Sequence, residues 1–300
     1  MTTGADSSVR WTLVSSPTMQ RLSSIKMTGV TTGVALGDRG TYLVYGGGTV
    51  WSPVNFGPTQ RAKNFYGIEA DASGSVWLAG DSGTIVYAPS YGGGFAQQAS
   101  NVLVTLASIS RVEGTSEMFA AGAGGVIIHT LDGVGFSGTW SGQASQTTHS
   151  LFFIGGPADT NMLAVGEAGS AVRFNGTAWS PDTLGVSVNI RSGAFVGNPS
   201  TDTWLVGDRG TILHSVSGVS GTWSVQPSGT TEDLFGITAD SATRAFAVGS
   251  GGTILHWDGA TWRAMVSPTF ENLRAIAHGY SASVDYWVVG DCGTILHGTT

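Results

Sequence analysis

Eleven residues, Trp204 to His214 (WLVGDRGTILH), return in nearly the same form along the whole chain, and this recurrence constrains the fold more than any other feature. Aligned on the first glycine of the motif, the copies fall at Gly37, Gly80, Gly122, Gly166, Gly207, Gly249 and Gly290, at intervals of 43, 42, 44, 41, 42 and 41 residues. In each copy apolar residues such as Trp204, Leu205 and Val206 precede a short Gly-Asp-x-Gly turn, and a run such as Thr211, Ile212 and Leu213 follows it. Two short apolar runs joined by a glycine-bearing turn read as a β-hairpin.

Two further strands flank each hairpin. A tryptophan follows it at Trp51, Trp140, Trp179, Trp223 and Trp262, with Phe95 in the corresponding place of the second copy. Another apolar run precedes it, at Leu22 to Ile25, Phe65 to Ile68, Leu106 to Ile109, Leu151 to Ile154, Ile190 to Ala194, Leu234 to Ile237 and Leu273 to Ile276. Four strands in about 42 residues match one blade of a β-propeller. The predicted fold is therefore all-β, a seven-bladed propeller with four antiparallel strands per blade. Two residues into the preceding strand stand Ser24, Gly67, Ser108, Phe153, Ser192, Gly236 and Ala275. Small side chains suit inner strands that converge on an axis, and Phe153, the exception, reads as a channel plug.

The two ends of the sequence complete each other. Trp11 to Val14 (WTLV) looks like a tryptophan strand with no hairpin before it, and the seventh hairpin ends at His297 with no tryptophan strand after it. The expectation is a closed ring in which Trp11 to Val14 pairs with Thr294 to His297 and covers a bare strand edge. Residues 1–9 read as a disordered tail and 10–300 as a single domain. Pro53 and Pro181, just after tryptophans, fit outer edge strands, where a missing amide donor is tolerated.

Composition narrows the function classes. Only 11% of residues are charged, against about 25% in typical domains, and the formal net charge is −7. That balance disfavours nucleic acid and anionic lipid as partners, and the apolar runs are strand-sized, so no membrane insertion is expected. Cys292 is the single cysteine, which excludes an internal disulfide. A Ser/Thr/Gly-rich, lysine-poor sequence points to an exported bacterial protein at the cell surface, in the periplasm or outside the cell.

Candidate chemistry is sparse. His129, His214, His256 and His297 occupy one place in their repeats, one per blade; stacked sheets lie about 10 Å apart while metal ligands need about 2.0–2.2 Å. They read as structural, packing or hydrogen bonding beside the tryptophan of their own blade, and no metal or cofactor is expected. His149 and His278 fall outside that pattern, with no evident partner. The hairpin tips carry Asp38, Asp81, Glu167, Asp208 and Asp291, a ring of acids broken by Ala123 and Ser250. Either they bond the local backbone, as turn residues do, or they form a cation or ligand site. In the usual propeller arrangement the loops between blades emerge on the same face, bringing Arg21, Arg61, Lys63, His149, Arg191, Glu232, Asp233, Glu271 and Arg274 near the channel mouth. A binding surface is expected there.

The run Gly252 to Trp262 (GTILHWDGATW) resembles the repeat of the photosystem II assembly and stability factor family of seven-bladed propellers. It is similar also to Asp-box repeats of sialidase-like and sortilin-like propellers, with Asp258, Gly259 and Trp262 in the pattern; Asp132, Gly133 and Trp140 meet it loosely, and Asn175 replaces the acid before Gly176 and Trp179. The assembly factors engage a membrane-protein precursor through a basic patch; here Arg21, Arg61, Lys63, Arg191 and Arg274 stand near comparable loops amid acidic neighbours. No arginine signature of sialidases, Gly-x-Ser-x-Gly elbow or phosphate loop is present, and Glu232 with Asp233 would need a second acid across the mouth to cleave a glycoside. The reading is a non-catalytic binding or scaffold propeller for a protein partner. The alternative is a lectin using Tyr91, Phe95, Phe136 and Tyr280 to stack on sugars, and a glycoside hydrolase ranks below both.

Overall fold

The computed structural model describes residues 9–112, 114–158, 160–197, 202–279 and 285–299. The hairpin turns set the architecture. In the fifth copy the strands Asp202–Gly207 and Ile212–Ser215 pair antiparallel, and the turn between them closes with the Thr211 amide donating to the Asp208 carbonyl at 3.2 Å. Its central residues, Arg209 and Gly210, both have positive φ (57° and 67°), as a type I′ hairpin turn requires. The second glycine is obligatory for another reason. A Cβ at Gly210 would lie 2.1 Å from the Thr230 carbonyl oxygen, on the linker leaving the same blade. The same contact recurs at Gly83, Gly125, Gly169, Gly252 and Gly293, so each hairpin tip rests on a linker backbone.

The described strands form seven four-stranded antiparallel sheets, as expected. Blade 1 runs Leu22–Met27, Gly33–Gly37, Tyr42–Tyr45, Trp51–Pro53, and blades 2 to 6 repeat that order from Phe65, Leu106, Leu151, Ile190 and Leu234. Blade 7 takes three strands from Leu273–His278, Asp285–Gly290 and Ile295–Thr299, and its fourth from Arg10–Leu13. The inner strands run two to four residues past their sequence-predicted ends, because they continue to the far face of the ring. Each touches the inner strands of both neighbours, including blade 1 against blade 7. The crowding that small residues answer is real: a Cβ on Gly67 would lie 2.9 Å from Ser108 Cα, and one on Gly236 would lie 3.0 Å from Ala275 Cα. Pro53 and Pro181 do sit on outermost strands.

Seven hydrophobic clusters fill the seven gaps between blades, so the core is a ring of wedges. Four wedges share one aromatic device. The outer-strand tryptophan of one blade meets, edge to face, an aromatic on the second strand of the blade before it: Trp179 on Phe119, Trp262 on Trp204, Trp11 on Phe246 and Trp51 on Trp287, with centroids 5.4–6.0 Å apart. The repeated histidine stacks on the other side of that aromatic. His214 lies 3.7 Å from Trp204 at 8°, and His297, His129 and His256 stack likewise on Trp287, Phe119 and Phe246. The histidines thus pack on a second-strand aromatic, which is tryptophan in two of the four blades. Three are also held by a carboxylate: Glu117 to His129, Asp202 to His214 and Asp285 to His297.

Closure follows the expected design with a shifted register: Trp11 opposes Gly298 and Leu13 opposes Leu296. The strand comprises Arg10–Leu13, and Val14 adds one amide bond to the Ile295 carbonyl at 2.9 Å. Gly298 is needed because a Cβ there would lie 2.8 Å from the Trp11 ring. Of the predicted tail, residues 1–8 lie outside the described residues, and Val9 is buried beside Trp11. Trp11→Ala is expected to cost about 3–5 kcal/mol, and deleting residues 1–15 more; thermal melting checks both, and unchanged melting would contradict closure by this strand. Gly210→Ala should also lower the melting temperature, since the linker carbonyl cannot yield as a flexible side chain could.

Candidate functional site at the channel mouths

Every inner strand carries a β-bulge at its second residue. The ladder skips Ser23, Tyr66, Ala107, Phe152, Arg191, Phe235 and Arg274, one per blade. A bulge leaves its extra residue unpaired and re-aims the side chain. All seven line one central channel, of about 1030 Å³, at its tip-face mouth.

The tip acids close onto these strands. Asp208 accepts from Arg191 Nε at 2.7 Å, Arg191 Nη2 at 3.0 Å and Asn189 Nδ2 at 2.7 Å. Asp291 does the same with Arg274 and Asn272. Asp38 accepts from Arg21 at 2.8 Å; Asp81 accepts from the Asn64 amide and the Tyr66 hydroxyl; Glu167 accepts from the Ser150 amide at 3.2 Å. In four blades the residue before the inner strand reaches the other way: Asn64, Asn189, Asp233 and Asn272 accept from amides at the tip of the preceding blade. The result is a hydrogen-bonded relay from blade 4 to blade 7, with one further link between blades 1 and 2.

The arginines are fixed twice. Arg191 lies over the Phe152 ring at 4.8 Å, Arg274 over Phe235 at 4.6 Å and Arg21 over Tyr66 at 5.9 Å, each pair crossing a blade boundary. Cation–π contact and a carboxylate together hold a guanidinium in one orientation. The other expected site residues sit further out. Arg61 ends a short helix, Pro58–Arg61, and donates to the Phe56 carbonyl and Asn55. His149 bonds the Ser170 hydroxyl and is exposed. Glu232 is exposed on its linker, where its amide donates to Thr230 Oγ1 at 3.1 Å.

The opposite mouth carries a second set of charges that the repeat alone does not reveal. Lys26 pairs with Glu69 at 2.9 Å, Arg111 with Asp71, and Arg244 with Asp240, which also accepts from the Tyr286 hydroxyl. His278, without an evident partner in the sequence, bonds Thr238 Oγ1 at 2.8 Å. Burial, aided by the positive charges of Lys26 and Arg244, holds its imidazole below the ordinary value against the pull of Asp240. Asp71 and Asp240 share one offset, six residues past the start of their inner strands, and for the others the signal is position near the far end of a channel-lining strand. Of the aromatics of the lectin reading, Tyr91 and Phe136 stand in loops at this end of their blades, and Phe95 packs into the wedge between blades 1 and 2. The Tyr91 hydroxyl donates to the Asp71 carbonyl and packs beside Phe95, which meets Phe56 at 4.4 Å. Phe136 is 56% exposed, edge-on to Tyr87. Tyr280 lies outside the described residues. Phe153 is not a plug: it lies against Phe195 at 5.9 Å, over Gly193 of the next blade. Among the described residues no cluster of His, Cys, Asp and Glu is arranged to hold a metal.

No family model matches the chain, and no curated protein sequence does. Solved structures do. YCF48 from Cyanidioschyzon merolae superposes with a TM-score of 0.77 at 19% identity, covering 96% of this chain and 98% of that one. A structure described as YCF48 bound to D1 peptide gives 0.79 at 17%, covering 97% of each. In fold, the chain closely resembles the YCF48 assembly-factor propellers. The WD40 propeller domain of Doa1 gives 0.76 at 11%, covering 97% of each chain, so the likeness extends to another propeller class.

Burial alone would raise the Asp291 carboxyl, but hydrogen bonds from Arg274 and Asn272 and the charge of Arg274 outweigh it and hold it below the usual range. A depressed folded value means the ionised group stabilises the fold fully above the ordinary value near about 3.9, and that this is lost as pH falls through the lower folded value. Asp291→Asn should therefore cost on the order of 1 kcal/mol near neutrality, and the gap in melting temperature to wild type should close on acidification below about pH 3.9.

Proposed function

We propose that this propeller is a non-catalytic platform that binds an extended segment of a partner protein across the tip-face mouth of its channel. The observation that carries the reading is the set of three arginine-aromatic pairs, Arg21 with Tyr66, Arg191 with Phe152 and Arg274 with Phe235, set around one opening. Arg191 and Arg274 each use Nε and Nη2 on an aspartate. The remaining guanidinium donors and the half-buried rings suit a peptide backbone or a terminal carboxylate, because guanidinium groups recognise carboxylates with directional bonds. The structural likeness to a propeller described as bound to a D1 peptide supports a peptide ligand.

The state of the carboxylates supports the non-catalytic part. A glycoside hydrolase needs a carboxyl whose affinity for its proton is raised. Here Asp291 at one mouth and Asp71 and Asp240 at the other are lowered, burial being outweighed by hydrogen bonds from serine, arginine, asparagine or tyrosine.

An array of peptides with free carboxyl ends tests the proposal. Peptides that bind wild type are expected to weaken at least about tenfold with Arg191→Ala plus Arg274→Ala, and again with Phe235→Ala, at unchanged circular dichroism. A silent peptide array together with glycan binding that disappears on Phe136→Ala would replace this reading with the lectin.

A further inference from the structure

Between mid-depth and the mouth opposite the tips, the wall of the channel is chemically two-sided. On the arc formed by blades 1 to 3 it presents Lys26, Glu69, Ser108 and Ser110; on the arc of blades 4 and 5 it presents Phe153, Ala194 and Phe195. Lys26 and Glu69 each stand four residues past the start of their inner strands, a depth between that of Phe153, two residues past its start, and that of Phe195, five past its own. Two boundaries three blades apart in a seven-membered ring face each other roughly across the axis.

Neither half is explained by the fold. The protein has two lysines, Lys26 and Lys63, and Lys26 is on the channel wall, its ammonium 2.9 Å from Glu69 with side chains 33% and 14% exposed. A partly buried ion pair is a weak source of stability, because desolvation offsets the attraction. Opposite, Phe153 takes a place that is small in the other six blades. Glycines accommodate it: a Cβ on Gly193 would lie 2.7 Å from the Phe153 ring, and one on Gly155 would lie 2.9 Å from Phe195. The two half-buried rings remain open to the lumen. An inner strand of six residues at about 3.3 Å each makes the channel about 20 Å long. Its volume of about 1030 Å³ then implies a bore of about 8 Å, close to the length of one aromatic amino acid.

We infer that the lumen is a binding site for a small amphipathic zwitterion, a free α-amino acid with an aromatic side chain. Its ring lies on Phe153 and Phe195, its carboxylate meets Lys26 and its ammonium meets Glu69. The zwitterion is selected because the receiving pair is itself neutral. A ligand with one charge would leave a net charge in a site partly removed from water, which costs heavily, whereas a zwitterion makes two opposed pairs from one. This site is separate from the tip-face arginines, so its success or failure does not depend on the peptide reading.

Calorimetric titration with L-tryptophan and L-phenylalanine tests the inference, with 3-phenylpropionate, phenethylamine and L-alanine as analogues lacking the ammonium, the carboxylate or the ring. The amino acids are expected to bind, and each analogue to bind at least about tenfold more weakly. Lys26→Met and Glu69→Gln should each weaken tryptophan by a similar factor, while Arg191→Ala with Arg274→Ala leaves it unchanged. Chemical acetylation adds a readout on the unaltered protein, since tryptophan should slow modification of Lys26 and not of Lys63. The inference is overturned by no binding at millimolar tryptophan, by equal binding of phenylpropionate, or by a folded Glu69→Gln variant that binds as wild type does.

Discussion

The ring depends on a backbone contact with no room for a side chain. At the second glycine of six hairpin tips a Cβ would sit 1.9–2.1 Å from a carbonyl oxygen of the linker to the next blade. That approach fixes the angle at which each blade leaves the last. The first glycine of the motif makes a matching contact within the blade, with Gly37 over the Arg21 carbonyl and Gly207 over that of Asn189. Gly-x-x-Gly is thus a spacing device, and the acid between the glycines is secondary: Ala123 and Ser250 occupy its place in turns with the same geometry.

With the angle set, each gap between blades must be filled by a wedge of fixed size. The aromatic device does this with three contributions: a second-strand aromatic, a histidine stacked on its face and a tryptophan from the next blade against its edge. Such pairs contribute about 0.5–1.5 kcal/mol beyond the area they bury. Closure by Arg10–Leu13 belongs to the same logic. Without Trp11, the gap between blades 6 and 7 would keep Phe246 and Tyr286 but lose the ring that both contact. The carboxylates on His129, His214 and His297 steady the stack from outside and are part of the wedge.

Most of this was legible because the repeat is nearly exact where the backbone is constrained. Seven glycine pairs, the outer tryptophans and the small inner-strand residues each report a steric condition, and a steric condition leaves the same kind of residue in all or nearly all copies. The mouths were legible only in outline. Which face the tips and linkers share follows from topology, but the partners of the tip acids do not: Asp208 takes an arginine two residues beyond Asn189, whereas Asp38 takes Arg21, the residue just before its strand. Lys26, Glu69, Arg111 and His278 left no repeated pattern, since each meets a residue from another part of the chain, while Asp71 and Asp240 share one place in only two of the seven repeats. Phe153 departed visibly from the pattern, yet its reason lay in two glycines, one of them in the neighbouring blade.

The bulge explains why variety is concentrated at one position. A residue skipped by the ladder contributes no cross-strand pair and fills no wedge, so the fold places little demand on its identity. Serine, alanine, tyrosine, phenylalanine and arginine all occupy it here, within a chain whose neighbouring positions repeat closely. Residues can be exchanged there without disturbing the glycine contacts or the aromatic wedges. The arginine-aromatic pairs occupy this permissive position, and two of the three are built entirely from it, Phe152 with Arg191 and Phe235 with Arg274. A pairing that spans two blades at positions the fold leaves open is not one the ring needs to stand, and on that ground the proposed binding face is placed at this mouth.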